Sequence, residues 1–237
     1  MTKTSRSQPV GFDKRQAERA LFALKNESSF EDRITSASTA FLGRPYSQNP
    51  LGGGPQATEH FQISFVGFDC VTYVEIVIAL ARSNTLSAFM GELRRLRYRG
   101  GRVDWSRRNH YMIDWLARNR SRGAVKDITR GRDTVVKARD LSIVTGLPAK
   151  SVKFRLFPKR AFPRIKKRIR TGDLVLFVST RRDLDVFHVG IAVCMNDRVL
   201  LRHAGRSAGK VIEQDLASFL KEHRMSGFIL ARPLCRP

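Results

Sequence analysis

The sequence predicts an α+β fold in which N-terminal helices pack on a C-terminal antiparallel β-sheet. In the first half of the chain apolar residues recur at helical spacing, and in the last third short, β-branched apolar segments alternate with turn residues. Because the helices come first and the strands follow one another, this order favours an antiparallel sheet over a doubly wound parallel one. The 237 residues contain no internal repeat and no low-complexity linker. We therefore expect a flexible basic tail at residues 1–12 and a single domain at residues 13–237.

Helices are predicted at residues 13–25, 29–41, 70–82, 87–98 and 110–118. Ser29, together with Asp32, resembles a capping box with a shorter acid at the start of the second helix. The third helix is the clearest, because Cys70, Val74 and further apolar residues recur on one face. Asp69 is well placed to cap this helix at its N-terminus.

Between and after these helices the pattern changes. Residues 43–55 are rich in Gly and Pro and predict a loop, and residues 61–66 predict a short strand. Gly100 and Gly101 end the fourth helix. Strands are predicted at residues 173–179, 186–194, 198–204 and 227–232, with a helix at residues 215–223 between the last two.

The composition excludes several classes of protein. Hydrophobic residues make up 42% of the chain, which is too many for wholesale disorder. The three Cys are widely spaced and imply neither a disulfide framework nor a zinc ribbon. The chain has no apolar run long enough for a membrane span. The polar, basic N-terminus lacks the apolar stretch of a secretory signal, so we expect synthesis in the cytoplasm, with a dedicated secretion system as the route to periplasm, wall or target cell.

The net charge of +23, from 44 Lys and Arg against 21 Asp and Glu, points to polyanionic partners such as nucleic acid, anionic lipid or an acidic wall polymer. Basic residues cluster at 94–108 and 150–170, and Phe154, Phe157 and Phe162 lie within the second cluster, where they could stack on bases. A solvated surface with apolar anchors is the favoured alternative. No zinc-finger, P-loop or RNA-recognition motif accompanies the charge, so nucleic acid is the less favoured partner.

Cys70 directly follows the predicted cap Asp69. A helix N-terminus carries positive partial charge and free N–H groups, which favour a thiolate and therefore a nucleophile. The same N–H groups are suited to receive an oxyanion. The alternative is a buried structural cysteine, because this helix face is apolar.

His188 and His203 lie on consecutive predicted strands. If Asn196 and Asp197 alone form the turn between them, His203 pairs with Gly190, which shares a sheet face with His188. The two imidazoles are then diagonal neighbours, whereas a longer turn by one residue would place them on opposite faces. Gly190 either keeps space for substrate or relieves packing. The alternative for each histidine is an ordinary sheet or surface residue.

These residues suggest a thiol mechanism. Cys70 attacks an amide or ester carbonyl, His188 takes its proton and returns it to the leaving amine, and His203 holds the imidazole in the correct tautomer. We expect no cofactor, and no metal site, because the His and carboxylate residues lack ligand spacing and a thiol nucleophile needs no metal.

The chain resembles the NlpC/P60 papain-like cysteine hydrolases in four segments that occur in the same order. They are GFDCVTYVE at 67–75, TGDLVLF at 171–177, HVGI at 188–191 and HA at 203–204. The closer resemblance is to the DUF1460, or N-acetylmuramoyl-L-alanine amidase-like, family. Its pattern also includes RPY at 44–46, NPL at 49–51, YRGG at 98–101, SRRNHYMIDW at 106–115 and DIT at 127–129. The resemblance covers residues 41 to 232.

This resemblance implies a papain-like NlpC/P60 fold and a peptidoglycan amidase or peptidase with Cys70 as nucleophile, His188 as base and His203 as third member. It favours cleavage between the sugar lactyl group and L-alanine, with a bond further along the stem peptide as the alternative. For Tyr46 the resemblance implies a place in the oxyanion site, and packing in a Pro-rich loop is the slightly favoured alternative. Asp69 and Gly190 are grouped with it around the substrate. His110 matches a family position, and we expect a structural hydrogen bond there.

Three functions are kept open. The favoured one is hydrolysis of an amide in peptidoglycan or muropeptides, and its partner would be a wall fragment. The second is a related thiol acyl-transfer or amide hydrolase acting on another anionic amide substrate, because wall-directed relatives usually carry an export signal. The third is a non-catalytic binder of anionic polymers, which the positive charge suggests.

Overall fold

A computed structural model of the chain describes residues 12–235. Helices and an antiparallel sheet make up this part of the chain, so the predicted α+β class is confirmed. The predicted tail at residues 1–12 falls outside the described residues except for Phe12.

The described part of the chain contains more helices and strands than the sequence pattern predicts. The α-helices of the described part are α1 (Lys14–Ala23), α2 (Phe30–Thr39), α3 (Cys70–Ala81), α4 (Leu86–Arg97), α5 (Met112–Ser121), α6 (Phe162–Ile165) and α7 (Leu216–Glu222). The strands are β1 (Val125–Asp127), β2 (Val135–Leu141), β3 (Lys150–Leu156), β4 (Leu174–Val178), β5 (Val186–Met195), β6 (Arg198–Gly205), β7 (Lys210–Asp215) and β8 (Gly227–Pro233).

The main sheet has six strands in the order β1-β8-β4-β5-β6-β7, and each neighbouring pair is antiparallel. Strands β4, β5 and β6 follow one another as predicted, β7 continues this meander, and β8, predicted as its last strand, returns to lie beside β4. Strand β7 was not among the predicted strands, because its largely polar sequence lies at the sheet edge. Strands β2 and β3 form a separate antiparallel hairpin.

Helix α3 begins at Cys70, as predicted. The Asp69 side chain accepts a hydrogen bond from the Thr72 backbone N–H at 2.7 Å, and the Thr72 hydroxyl accepts one from the Asp69 backbone N–H at 3.0 Å. This reciprocal pair forms a capping box and fixes the first turn. Positions 72–81 are all buried, because α2, α4 and strands β5 and β6 surround the helix. Beyond its first turn the helix is therefore buried on every side rather than on one face.

The sheet is covered on both faces. Alternate residues of β4 enter two cores: Leu174 and Leu176 belong to the core shared with the N-terminal helices, and Val175 and Phe177 belong to the core under α7. Phe157 and Phe162 are also buried in this second core. They are therefore not available to stack on bases.

The predicted strand at residues 61–66 is wrong. Phe61, Ile63 and Phe65 do alternate into the core, but their backbone does not join a sheet in the described part of the chain. Instead the Gln62 carbonyl accepts a hydrogen bond from Arg97 Nη1 at 2.6 Å. The alternation reflects burial and not strand pairing.

Part of the basic cluster at residues 94–108 is structural. Arg97 Nε lies 2.8 Å from Glu75 Oε2, and both side chains are 2% exposed. Arg108 lies 3.3 Å from Glu59. These arginine charges form ion pairs within the fold and are therefore not available to bind a polyanion. Within residues 12–235, no helix combines the length and apolar character needed to cross a membrane.

Candidate active site

A pocket of about 740 Å³ opens between the start of α3 and the β5–β6–β7 edge of the main sheet. It gathers four residues named from the sequence: Cys70, His188, His203 and Tyr46. The rest of its wall contains aromatic, basic and acidic side chains, notably Phe187, Arg206, Phe219, Glu222 and His223. Helix α3, which begins with Cys70, lies more than a hundred positions before strands β5 and β6, which carry His188 and His203. Only the fold brings these residues together.

Cys70 is the first residue of α3 and is partly exposed. Its thiol departs from the sequence expectation. Burial, and then the charge of Asp69, raise the pKa of Cys70 to about 12, and hydrogen bonds from the backbone of Val189, Cys70 and Val71 offset only part of this. The expectation of a lowered thiol pKa was therefore wrong, because desolvation outweighs the helix N-terminus. At neutral pH the thiol carries its proton.

The two histidines meet as the register predicted. Met195 pairs with Arg198 across the turn, and the ladder continues to Ile191 opposite Arg202. Asn196 at the turn has a φ of 52°, the left-handed conformation that asparagine tolerates. His188 Nε2 lies 2.7 Å from His203 Nδ1, with the rings nearly perpendicular. The Nδ1 atom of His188 is not used by this hydrogen bond.

Both imidazoles are held neutral. Burial, with the charges of His203 and His223, lowers the pKa of His188 to about 3. Burial and the charge of His223 lower the pKa of His203 to about 4. His203 Nε2 is itself buried and has no hydrogen-bond partner within the described residues, so a positive charge on this ring would be poorly solvated. An uncharged imidazole pair therefore faces an uncharged thiol in this pocket.

Tyr46 reaches the pocket because its loop is held on two sides. The Tyr46 backbone N–H donates to Gly209 O at 2.8 Å, beside the β6–β7 turn. On the other side Phe68 N donates to Pro45 O at 3.0 Å, just before Cys70. Burial, and then the charges of Cys70 and Asp69, raise the pKa of Tyr46. Its hydroxyl is thus kept as a hydrogen-bond donor near the sulfur.

Asp69 and Gly190 were predicted to lie around the substrate, and neither is among the residues that line the pocket. Asp69 acts as the helix cap. Gly190 is buried, and a Cβ there would lie 2.9 Å from Arg202 O and 3.0 Å from His203 Cβ. The geometry supports the packing alternative for Gly190, since its missing side chain lets β5 and β6 approach beside the imidazole pair.

Sequence reasoning missed the aromatic wall of the pocket. The ring of Phe219, on α7, stacks on His188 with centroids 5.7 Å apart and on His223 with centroids 4.0 Å apart. His223 Nδ1 lies 3.0 Å from Phe219 O and must carry a proton to donate to it. The four-residue spacing of Phe219 and His223 on the predicted helix was the available signal. Arg206 was detectable only as a neighbour of His203 in sequence.

His110 lies outside this pocket. Its Nε2 is 2.7 Å from Trp105 O, so the expected structural hydrogen bond is confirmed. Within residues 12–235, no group of three or more His, Cys, Asp or Glu side chains is arranged to hold a metal ion.

Residues 36–228 match the family model described as AmiA-like, N-acetylmuramoyl-L-alanine amidase-like. This span contains all of the pocket residues discussed above. No curated protein sequence matches the chain.

Solved structures show the same fold. A Legionella pneumophila protein of the DUF1460 family is 24% identical, with a TM-score of 0.81 over 93% of this chain and 96% of that one. An N-acetylmuramoyl-L-alanine amidase from Bacteroides uniformis is 24% identical in one structure, with a TM-score of 0.79 over 86% of this chain and 99% of that one. A second Bacteroides uniformis structure is 25% identical, with a TM-score of 0.76 over 86% and 98% of the two chains. The arrangement of helices and antiparallel sheet is thus shared with these proteins.

Proposed function

The chain belongs to the N-acetylmuramoyl-L-alanine amidase-like family, and from this premise we propose that it is a cysteine-dependent amidase acting on peptidoglycan or muropeptides. The observation that carries the proposal is the convergence of Cys70, His188 and His203 on one pocket, with the two imidazoles hydrogen-bonded to each other. A pocket of about 740 Å³ is within the range of ligand-binding clefts.

The first half of the reaction transfers the acyl group to sulfur. Cys70 Sγ attacks the amide carbonyl carbon while His188 Nδ1 takes the thiol proton, because the thiol is not ionised beforehand. The imidazolium then gives this proton to the amide nitrogen, the C–N bond breaks, and the amine leaves. A thioester to Cys70 is the product of this half.

His203 is the positioning member of the triad. For His188 Nδ1 to accept a proton, the neutral ring must carry its hydrogen on Nε2 and donate it to His203 Nδ1. This hydrogen bond fixes the tautomer and orientation of the base, and it persists when His188 becomes charged.

Two kinds of donor are available for the negative oxygen of the tetrahedral intermediate. The backbone N–H groups of Cys70 and Val71 lie in the first turn of α3, where helical N–H groups have no carbonyl partner in the helix. The Tyr46 hydroxyl is the second donor, since its raised pKa keeps it protonated. In the second half of the reaction a water gives its proton to His188 and attacks the thioester, which releases the acid and restores the thiol.

We infer the bond that is cleaved from two sources: the family to which the chain belongs, and the name of the Bacteroides uniformis relative, an N-acetylmuramoyl-L-alanine amidase. The favoured bond joins the lactyl group of N-acetylmuramic acid to L-alanine. The wall fragment carries carboxylates, so the positive chain and Arg206 at the pocket wall favour its approach. We further propose that the fold belongs to the papain-like NlpC/P60 superfamily, because the segments around Cys70, His188 and His203 resemble that superfamily.

The test is digestion of purified sacculi by the wild-type protein, by Cys70→Ala and by Cys235→Ala as a matched control, because Cys235 is an exposed thiol outside the pocket. We expect wild type and Cys235→Ala to release peptides that begin with a free L-alanine amine, identified by mass spectrometry. Cys70→Ala should release none above background. Equal release by Cys70→Ala would remove Cys70 as the nucleophile, and released peptides that begin at a later residue of the stem would place the cleaved bond elsewhere.

A further inference from the structure

A second cavity, of about 440 Å³, lies between the β2–β3 hairpin and the loop that follows β4. We call it the Arg139 pocket, and its polar lining includes Lys137, Arg139, Asp140, Thr180, Arg182 and Ser226. It shares no lining residue with the pocket that contains Cys70. A ligand in the Arg139 pocket would therefore bind independently of the proposed amidase activity.

Arg139 is the unusual residue of this pocket, because it is 5% exposed and pairs with no carboxylate among residues 12–235. Its Nη1 donates to Ala138 O at 2.9 Å, and its Nη2 donates to Ser179 O at 2.7 Å and to Ser226 Oγ at 2.8 Å. All three acceptors are neutral oxygens. The Nε atom is buried and has no hydrogen-bond partner in the described part of the chain.

The other buried arginines of the described residues behave differently, since each pairs with a carboxylate. These pairs are Arg82 with Glu92, Arg97 with Glu75 and Arg202 with Glu213. A buried cation is costly without a counter-charge. Within the described part of the chain, three buried guanidinium groups therefore have a counter-charge and the fourth, that of Arg139, has none.

Two of the three charged side chains that line this cavity beside Arg139 are basic, so they add a net positive charge. Arg182 and Lys137 are exposed and line the same cavity. Across residues 12–235, no carboxylate lies within ion-pair distance of Arg182 or Arg139. Asp140 is also in the lining, but its Oδ1 accepts a hydrogen bond from Ser151 at 2.6 Å on the adjacent strand. Burial and the charge of Arg182 lower the pKa of Arg139.

We propose that the Arg139 pocket binds a phosphate-type oxyanion. Arg182, Lys137 and the exposed Thr180 hydroxyl contact the oxygens, and Arg139 supplies a fixed positive charge from the wall. Several donors around one cavity suit a tetrahedral oxyanion, and guanidinium groups are the preferred donors to phosphate oxygens. The hydrogen bonds from Arg139 to Ser179 and Ser226 hold it in place before the anion arrives, which lowers the entropic cost of binding.

The experiment is calorimetric titration of inorganic phosphate into the whole protein in low-salt chloride buffer. We compare wild type with Arg182→Ala and with Arg155→Ala, a matched control that removes one exposed arginine charge from strand β3 without touching the pocket. We expect saturable one-to-one binding that Arg182→Ala weakens about tenfold or more and Arg155→Ala leaves within about twofold. Thr180→Val, which removes one hydroxyl and no charge, should also weaken it.

Two further titrations identify the source of the phosphate group. Tighter binding of glycerol phosphate than of inorganic phosphate would assign the ligand to a soluble phosphate ester. Binding to phosphatidylglycerol vesicles that is lost in Arg182→Ala and kept in Arg155→Ala would assign it to a lipid headgroup. The proposal is overturned if phosphate gives no saturable binding, or if Arg182→Ala and Arg155→Ala weaken binding equally, because the effect would then be diffuse charge attraction.

Discussion

The Nε2 atom of His188 lies 2.7 Å from the Nδ1 atom of His203. This contact leaves Nδ1 of His188 as the ring nitrogen that is free to exchange a proton with substrate and thiol. The far nitrogen of His203 is buried and has no partner within the described residues. His203 can therefore accept a hydrogen bond from His188, but the burial of its ring disfavours a positive charge on it.

We predict that His203→Asn retains more activity than His203→Leu. In both His and Asn the acceptor atom is bonded to Cγ, so the Asn side-chain oxygen can take the place of His203 Nδ1. Loss of this acceptor in His203→Leu should lower kcat by about a hundredfold or more, as for other residues that orient a catalytic base. Steady-state kinetics on a muropeptide substrate would measure the difference.

The control for this pair is the melting temperature of each variant, because His203 is 4% exposed and sits in the sheet. Equal kcat in two folded variants would show that His203 does not act through the hydrogen bond to His188.

A second prediction concerns the ionisation of Cys70. Because the pKa of Cys70 is raised to about 12, its alkylation rate with iodoacetamide should rise about tenfold per pH unit from pH 7 to pH 10, since only the thiolate reacts. The modified peptide is quantified by mass spectrometry in a Cys235→Ala background. A rate that is already constant near neutral pH would indicate a preformed thiolate.

Asp69→Asn provides the companion variant to this measurement. Asn also caps helices, so the first turn should persist, while the charge that raises the pKa of Cys70 is removed. We expect faster alkylation at pH 8 in this variant than in the parent protein.

Tyr46→Phe tests the hydroxyl near the sulfur. Removing a donor from an oxyanion site typically costs about a hundredfold or more in kcat, with little change in KM when the donor acts only in the transition state. We expect a loss of this kind, measured on the same substrate. If kcat and the melting temperature both stay at the wild-type values, Tyr46 has a packing role only.

The sequence predicted the pairing of the two histidines better than it predicted the full set of strands. The pairing of His188 with His203 followed from the local turn at Asn196, because a two-residue turn fixes the register of both strands. The capping of helix α3 by Asp69 likewise depends only on residues that are close in sequence. The pKa of Cys70 could not be predicted in this way, since it depends on burial by strands more than a hundred residues away.

The missed elements have physical reasons as well. Strand β2 is mostly exposed and shows no regular apolar alternation. Strand β3 does alternate, at Val152, Phe154 and Leu156, but it lies within the basic segment at 150–170. Phe61, Ile63 and Phe65 show the apolar alternation of a strand, but within the described residues their backbone does not pair with a strand of either sheet. The buried partner of Arg97 lies on α3, and no feature of sequence spacing links Arg97 to Glu75.

The imidazole pair should make the protein sensitive to acid. The folded-state pKa values of His188 and His203, about 3 and about 4, lie below the value near 6.5 of an unfolded chain. The unfolded state therefore binds more protons as the pH falls below 6.5, and the free energy of unfolding decreases from there towards pH 4. Above pH 6.5 these two groups add no pH dependence.

Urea unfolding at pH 7, 6, 5 and 4 would measure this effect. Each pKa unit corresponds to about 1.4 kcal/mol, so the pair should account for a loss of several kcal/mol. A His188→Gln, His203→Asn double variant should show a shallower decrease over the same range. An equally steep decrease in that variant would assign the acid sensitivity to other groups.

Glu92 holds together three arginines from three parts of the helical half. Its carboxylate lies 2.8 Å from Arg82 Nε, 2.8 Å from Arg122 Nη2 and 3.1 Å from Arg95 Nη2. Burial alone would raise the pKa of Glu92, but the hydrogen bond and charge of Arg122 and the charge of Arg82 outweigh it and lower the pKa to about 2.

Glu92→Gln keeps the shape and removes the charge, which leaves Arg82 buried without its counter-charge. We expect a loss of about 3 kcal/mol or more in the free energy of unfolding by urea at pH 7. The matched control is Glu18→Gln, whose exposed pair with Lys14 should contribute less than about 1 kcal/mol. Because the stabilisation by Glu92 is lost only as the pH falls from 4.5 towards 2, wild type and variant should converge at acid pH. Equal, small losses in both variants at pH 7 would mean that desolvation of Glu92 already cancels the attraction of its arginines.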